Sequence, residues 1–437
     1  MQVRITKLSN GLTVVTDEMP HLKTVALGVW VRTGSRAETS EQNGITHLLE
    51  HMAFKGTLSR TAREIAEQIE AVGGELNAST SIEHTNYYAR ILAEDLPLAV
   101  DLLADILQNS TFDKDELVRE QHVILQEIGA AYDSPEDRAF DLFQEAAWPD
   151  QPLGRPILGT PETVKGFSHD ALNQYLVDRY RGPDMVLSAA GAVDHDELVR
   201  FAEEKFKSIP SSAAQAETPA LYKGGEQRLT KDLMEAQILI GFEGRPYKSK
   251  DYYAIQILAS VLGGGMSSRL FQEIREKRGL CYAIYSFHWA FSDTGLFGLH
   301  AATSREDIAA LMPVIVDELK TAGETITDQE VARSRAQIRA GLMMALESPA
   351  ARAGQIARQI LVHGRILSIE EVSDKIEAVT AEDIRRVARE TFVDSTPTLT
   401  AVGPVDTLMN VDELASRLAG SEPLSAKQVA GQAAGAM

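Results

Sequence analysis

The segment Ser134-Pro135-Glu136-Asp137-Arg138-Ala139 recurs 214 residues later as Ser348-Pro349-Ala350-Ala351-Arg352-Ala353. The same spacing carries Phe112 onto Ile326 and Glu116 onto Glu330, each at what reads as the same turn and helix start. Several pairs at one spacing mark a duplication, so the chain is expected to fold as two related halves. Its length agrees, because 437 residues exceed what one hydrophobic core holds. The stretch 208–220, Ser-Ile-Pro-Ser-Ser-Ala-Ala-Gln-Ala-Glu-Thr-Pro-Ala, has linker composition. The expected division is therefore an N-terminal half at 1–210, a linker at 211–228, a C-terminal half at 229–425 and a small, polar tail at 426–437.

Periodicity sets the layers inside each half. Leu12–Thr16 and Thr24–Val31 read as strands, and residues 76–92 as two strands around a turn. Residues 41–55, 61–72, 94–109 and 113–132 carry helical periodicity. Strands grouped apart from helices predict an α+β fold, two homologous halves each with helices packed on a mostly antiparallel sheet.

Composition excludes several classes. A net charge of −20 argues against a nucleic-acid partner, which needs a basic footprint. It fits a basic partner drawn by long-range steering, or an acidic surface that keeps the protein soluble. No apolar run approaches the roughly 18 residues of a membrane span. The N-terminus alternates apolar and polar residues up to Asn10-Gly11, the pattern of a hairpin strand rather than a targeting peptide. A cytoplasmic protein of a bacterium is the expectation, or one of the mitochondrial matrix if a cleaved transit peptide preceded this sequence. Cys281 is the single cysteine, so a metal would be held by histidine and carboxylate.

One cluster carries that chemistry. His47-Leu-Leu-Glu50-His51 lies in a segment of helical character. Residues i and i+4 share a helical face, so both imidazoles can reach one ion. Glu50 lies on the same side, where a carboxylate can act as general base toward water. This order mirrors His-Glu-x-x-His and is the inverzincin pattern. A hydrolytic zinc site uses three protein ligands, so a carboxylate is expected as the third. The candidates are Glu120 and Glu127, seven residues apart on one helical face. One could bind zinc while the other accepts a hydrogen bond from a ligand histidine. The duplicated half is blank here: His47–Met52 falls on Val261-Leu-Gly-Gly-Gly-Met266 and Glu127 on Gly341. His84, His122 and the other histidines read as structural.

These residues, Gly44-Ile-Thr-His-Leu-Leu-Glu-His-Met-Ala-Phe-Lys-Gly-Thr57, resemble the pitrilysin/insulinase family of inverzincin peptidases. The likeness is greatest to the β-subunit type of the mitochondrial processing peptidase and its bacterial relatives. It continues through Asn77-Ala-Ser-Thr, Glu83-His-Thr-Asn-Tyr-Tyr88, Gly154-Arg-Pro-Ile-Leu-Gly159 and Tyr180–Val193. In the second half it includes Leu262-Gly-Gly-Gly-Met-Ser-Ser-Arg-Leu270 and Arg275-Glu-Lys-Arg-Gly-Leu-Cys-Tyr282, and in all it spans about residues 1–420.

The resemblance implies two halves facing each other across a chamber, and one zinc ion per chain on His47, His51 and Glu127. Glu120 then supports a ligand histidine and Phe54 lines the pocket for the residue after the scissile bond. It implies that unfolded substrate adds as a strand along Asn77, Ala78, Ser79 and Thr80. Arg275 and Tyr282 reach the substrate carbonyl, and Asp137 and Asp141 read an arginine near the cleavage site. The expected function is a zinc endopeptidase acting on unfolded, basic peptides, working as a homodimer or, alternatively, a heterodimer. Two other readings are a non-catalytic core subunit of a larger complex and a catalytic subunit that needs a different partner chain. The complete set of ligands and base favours the peptidase.

Overall fold

The computed structural model describes residues 3–420, so the tail expected at 426–437 lies outside the described residues. The chain forms two compact units. The first comprises residues up to Asp133, Gln151–Pro219 and Ala340–Ile369; the second comprises Ser134–Asp150, Ala220–Arg339 and residues from Glu370 on.

The first unit is built on a six-stranded sheet. Its strands are β1 (Val3–Lys7), β2 (Thr13–Glu18), β3 (Thr24–Val31), β4 (Glu75–Thr80), β5 (Thr85–Leu92) and β6 (Met185–Gly191). They lie in the order β1-β2-β6-β3-β5-β4, and only β2 and β6 run parallel. Two helices, α1 (Ile45–Ala53) and α2 (Ala62–Ala71), lie between β3 and β4, and two more, α3 (Leu96–Gln108) and α4 (Lys114–Asp133), come after β5. All four coincide, within a few residues, with helices predicted from periodicity.

Period-2 alternation divides the strand side chains between two cores. Val25, Leu27, Val29 and Val31 of β3 join Leu187 and Ala189 of β6 in a core shared with α1 and α3. The intervening Trp30, with Val186 and Ala190, faces the helix Pro349–His363, which presents Ala353, Ile356, Ala357 and Ile360. Burial on both faces explains why β3 reads as a nearly unbroken apolar run.

The second unit repeats the plan. Its strands β7 (Gly225–Thr230), β8 (Glu235–Glu243), β9 (Ala283–Ala290), β10 (Gly295–Ser304) and β11 (Thr398–Gly403) lie in the order β7-β11-β8-β10-β9. Again one pair, β7 and β11, is parallel. The helix α5 (Pro135–Ala147) packs on this sheet, burying Ala139, Leu142, Phe143 and Ala146.

The two helices that begin the repeated Ser-Pro segments are therefore exchanged: each lies on the sheet of the other sequence half. Both have the same entry. Ser134 and Ser348 cap them by accepting from the backbone N–H three residues on, and proline follows at the first helical position. Both are tied to the sheet at equivalent carbonyls. Ser188 of β6 donates to the carbonyl of Ala353 (2.8 Å), and Thr400 of β11 to that of Ala139 (3.5 Å). A linear cut near residue 210 leaves this exchange out.

A buried ion pair fastens the exchanged helix of the first unit. The Arg352 guanidinium donates to the Asp17 carboxylate of β2, with side chains 4% and 0% exposed. Removing one partner of such a pair strands a buried charge. Asp17→Ala is expected to cost about 3 kcal/mol, read as a lower urea midpoint. The apolar double replacement Asp17→Val with Arg352→Met should lose much less, and equal losses would argue against a stranded charge.

Candidate metal centre

The centre starts at the entry to α1. Gly44 precedes the helix with φ 94°, and a Cβ there would come within 2.8 Å of Gly159 Cα and the Leu158 carbonyl, so only glycine fits. Gly44 has no side chain to cap the helix, and Glu38 supplies one from a distance. Its carboxylate accepts from the backbone N–H of Gly44 (2.8 Å) and of Thr46 (2.9 Å), and from the Asn43 side-chain amide (3.2 Å). Burial pushes the Glu38 carboxyl up to about 7, opposed by these hydrogen bonds. The anchored helix buries Ile45, Leu48, Leu49 and Met52 in the core. That leaves His47, Glu50 and His51 together on its other face.

Glu127 on α4 meets that face. Its two oxygens lie 3.7 Å from His47 Nε2 and 3.8 Å from His51 Nε2, and the donor atoms of the three residues all fall within 4.8 Å of one another. Ligands held tetrahedrally at zinc bond lengths stand about 3.3 Å apart, so a small contraction around an ion would complete the set. Burial, then the neighbouring His51, lowers the His47 pKa to about 4. That favours the neutral imidazole, the form that ligates metal.

The second imidazole is oriented from behind. His51 Nδ1–H donates to Glu120 Oε2 at 3.0 Å, which turns the Nε2 lone pair toward Glu127. Glu120 is buried, and its other oxygen lies 2.6 Å from the Lys55 ammonium. The alternatives left open for Glu120 and Glu127 thus separate in the structure: Glu127 faces both Nε2 atoms and Glu120 holds one ring. His47 has no such support, since its Nδ1 is buried without a hydrogen-bond partner among the described residues.

Glu50 stands beside this group. Burial raises its pKa, while hydrogen bonding from Thr80 and the charge of His51 pull it down. The Thr80 hydroxyl donates to Glu50 Oε2 at 2.5 Å. Thr80 ends β4, whose Asn77, Ala78 and Ser79 pair with β5 on one side only, at the edge of the sheet. A cleft of about 550 Å³ adjoins that strand, lined by Phe54, Lys55, Ile65, Ile69, Leu76 and Tyr88 among others.

The remaining predicted residues belong to the second unit. Arg275 lies over the Phe271 ring (4.7 Å to the centroid) and the Tyr282 ring (5.4 Å), and Tyr282 is exposed. Asp137 and Asp141 lie one turn apart on α5, and burial raises the Asp141 carboxyl to about 6. No sequence pattern assigns a role to Glu38 or Lys55, and Thr80 is legible there only as part of the edge strand. Lys55 could have been found at i+4 from His51; Glu38 has no local signal.

A profile described as insulinase (peptidase family M16) matches residues 13–161, and one described as the peptidase M16 inactive domain matches residues 166–338. An uncharacterized zinc protease of Rickettsia felis is 41% identical over 92% of this chain and 98% of its own length. The chain belongs to the insulinase family, M16. An uncharacterized zinc protease of Bacillus subtilis, YmxG, is 38% identical over 88% of the chain and 94% of its own length. A protease from Helicobacter pylori shares the M16 fold with a TM-score of 0.85 at 24% identity, covering 92% of this chain and 99% of that one. A chain of complex III2 from Candida albicans does so with 0.84 at 23%, covering 95% and 100%. As an M16 zinc protease the protein uses zinc, and the second matched profile is described as an inactive domain. Among the described residues no helix is long and apolar enough to cross a membrane.

The orienting chain Lys55–Glu120–His51 generates a test. Glu120→Gln is expected to weaken zinc binding by roughly 10- to 100-fold in competition with a fluorescent chelator, and Lys55→Met by a smaller factor. Unchanged affinity in Glu120→Gln would remove the orienting role.

Proposed function

We propose that the chain is a zinc endopeptidase for unfolded, basic peptides, with His47, His51 and Glu127 as the ligands and Glu50 as general base. The observation that carries this reading is the convergence of both Nε2 atoms on Glu127, with a second, half-buried carboxylate, Glu50, beside them. Zinc bound there acts as a Lewis acid toward water and the scissile carbonyl. Glu50 takes the proton from the attacking water and returns it to the leaving amine. The open edge of β4 offers backbone groups to an extended peptide, which binds without strict sequence preference. Phe54 and the apolar wall of the adjoining cleft take the side chain that follows the scissile bond.

Arg275 and Tyr282 are proposed to stabilise the oxyanion, and Asp137 and Asp141 to select an arginine of the substrate. The acidic net charge supports the same preference for basic peptides. Because ligands, base and these second-unit residues occur in one chain, a homodimer is proposed over a heterodimer.

Glu50→Gln is expected to keep its zinc and lose turnover by several orders of magnitude, as removal of a base acting only in the transition state requires. Near-wild-type cleavage by that variant of a fluorogenic basic peptide would refute the assignment. Chelation should abolish activity and added zinc restore it. For selectivity, Asp137→Asn with Asp141→Asn is expected to lower kcat/KM about tenfold for arginine-containing peptides and leave neutral peptides unaffected. Equal loss on both peptide classes would argue against arginine recognition.

A further inference from the structure

We propose that Thr80 is a positioning residue for Glu50, so that the strand at the sheet edge also sets the geometry of the base. The inference rests on the peptidase reading and adds a residue to it. Along β4, Glu75, Asn77 and Ser79 are exposed, whereas Leu76, Ala78 and Thr80 turn inward, Ala78 into the core shared with α1. Thr80 is the last of the inward set, and its hydroxyl reaches the Glu50 carboxylate at 2.5 Å. A free glutamate has three side-chain torsions and sweeps its carboxylate over several ångströms. One hydrogen bond to Oε2 from a strand removes most of that freedom.

The strand itself is held on both sides of this contact. Thr80 pairs with Thr85 across the hairpin, and the Thr85 hydroxyl donates to the Thr33 carbonyl at 2.8 Å. Beyond Thr80, the carbonyls of Ser81 and Ile82 accept from the backbone N–H of Ser35 and Arg36 at 3.2 and 2.9 Å. Ser35 and Arg36 lead directly into Glu38, the cap of α1. The helix bearing Glu50 and the strand bearing Thr80 are therefore fastened to one short segment, 35–38, and the hydrogen bond between them spans a fixed distance. A peptide lying along β4 would rest on the strand that holds the base.

Thr80→Val keeps the size and branching at Cβ and deletes the hydroxyl; Thr80→Ser keeps the hydroxyl. In the zinc-loaded full chain, Thr80→Val is expected to lower kcat by about tenfold or more with KM and zinc content unchanged. Thr80→Ser should recover most of that loss. A merely structural role would shift KM or zinc content and would not be rescued by serine.

The pairing is read separately by thermal unfolding of Thr80→Val, Glu50→Ala and the double variant, which should depart from additivity by about 2 °C. Wild-type kcat in Thr80→Val, a loss that serine does not rescue, or additive shifts in melting temperature would overturn the inference. A zinc-loaded wild-type chain that cleaves nothing would instead overturn the peptidase reading, and the unfolding cycle would still decide whether Thr80 holds Glu50.

Discussion

The capping of α1 by Glu38 is the constraint on which the centre depends. Two imidazoles on a nine-residue helix converge on a carboxylate of another helix only if the first helix is fixed along and about its axis. Burial of Ile45, Leu48, Leu49 and Met52 fixes rotation, because turning the helix would expose them. Hydrophobic burial is non-directional and holds sliding less well. Sliding is opposed by the first-turn N–H groups of Gly44 and Thr46, both satisfied by one buried carboxylate. The close approach of Gly44 to Gly159 shows how little room the entry leaves.

That division of labour explains what the sequence made legible. Short-range features could be read directly: the i, i+3, i+4 face of His47, Glu50 and His51, and the seven-residue step between Glu120 and Glu127. Periodicity located α1 to α4 and the β4–β5 hairpin for the same reason. The partners of those features could not be read, since each comes from a residue with no fixed spacing. Glu38 and Thr80 have ordinary local contexts, as a residue after a turn and a β-branched residue in a strand. Which of Glu120 and Glu127 faces the imidazole Nε2 atoms was undecidable from spacing, because both lie on one face of α4. In the structure the two differ in depth: Glu120 is buried beside Lys55, whereas Glu127 is 40% exposed in its side chain.

The exchanged helices show the same limit at the scale of the chain. Repetition of Ser-Pro at 134 and 348 marks a duplication, but nothing local says which sheet each repeated segment will cover. The distinction depends on long-range partners. Arg352 finds Asp17 across 335 residues, and Phe143 lies against Gly241, where a Cβ would stand 2.3 Å from its ring. Small residues on the inner face, Ala353 and Ala357 in one helix and Ala139 and Ala146 in the other, let helix and sheet approach closely.

The segment that falls on the metal-binding motif at the 214-residue spacing differs from it in backbone as well as in residues. The segment 261–266, which aligns with His47–Met52, begins at the end of the helix Tyr252–Gly263 and continues past it through Gly264 and Gly265. At the 214-residue spacing those two glycines fall on Glu50 and His51. A histidine placed at 265 would therefore leave the helical face that an i, i+4 pair requires. Gly263 is also pressed against Ser286 of β9, with its Cβ position 2.3 Å from the backbone nitrogen, so the strand blocks side chains at the helix end.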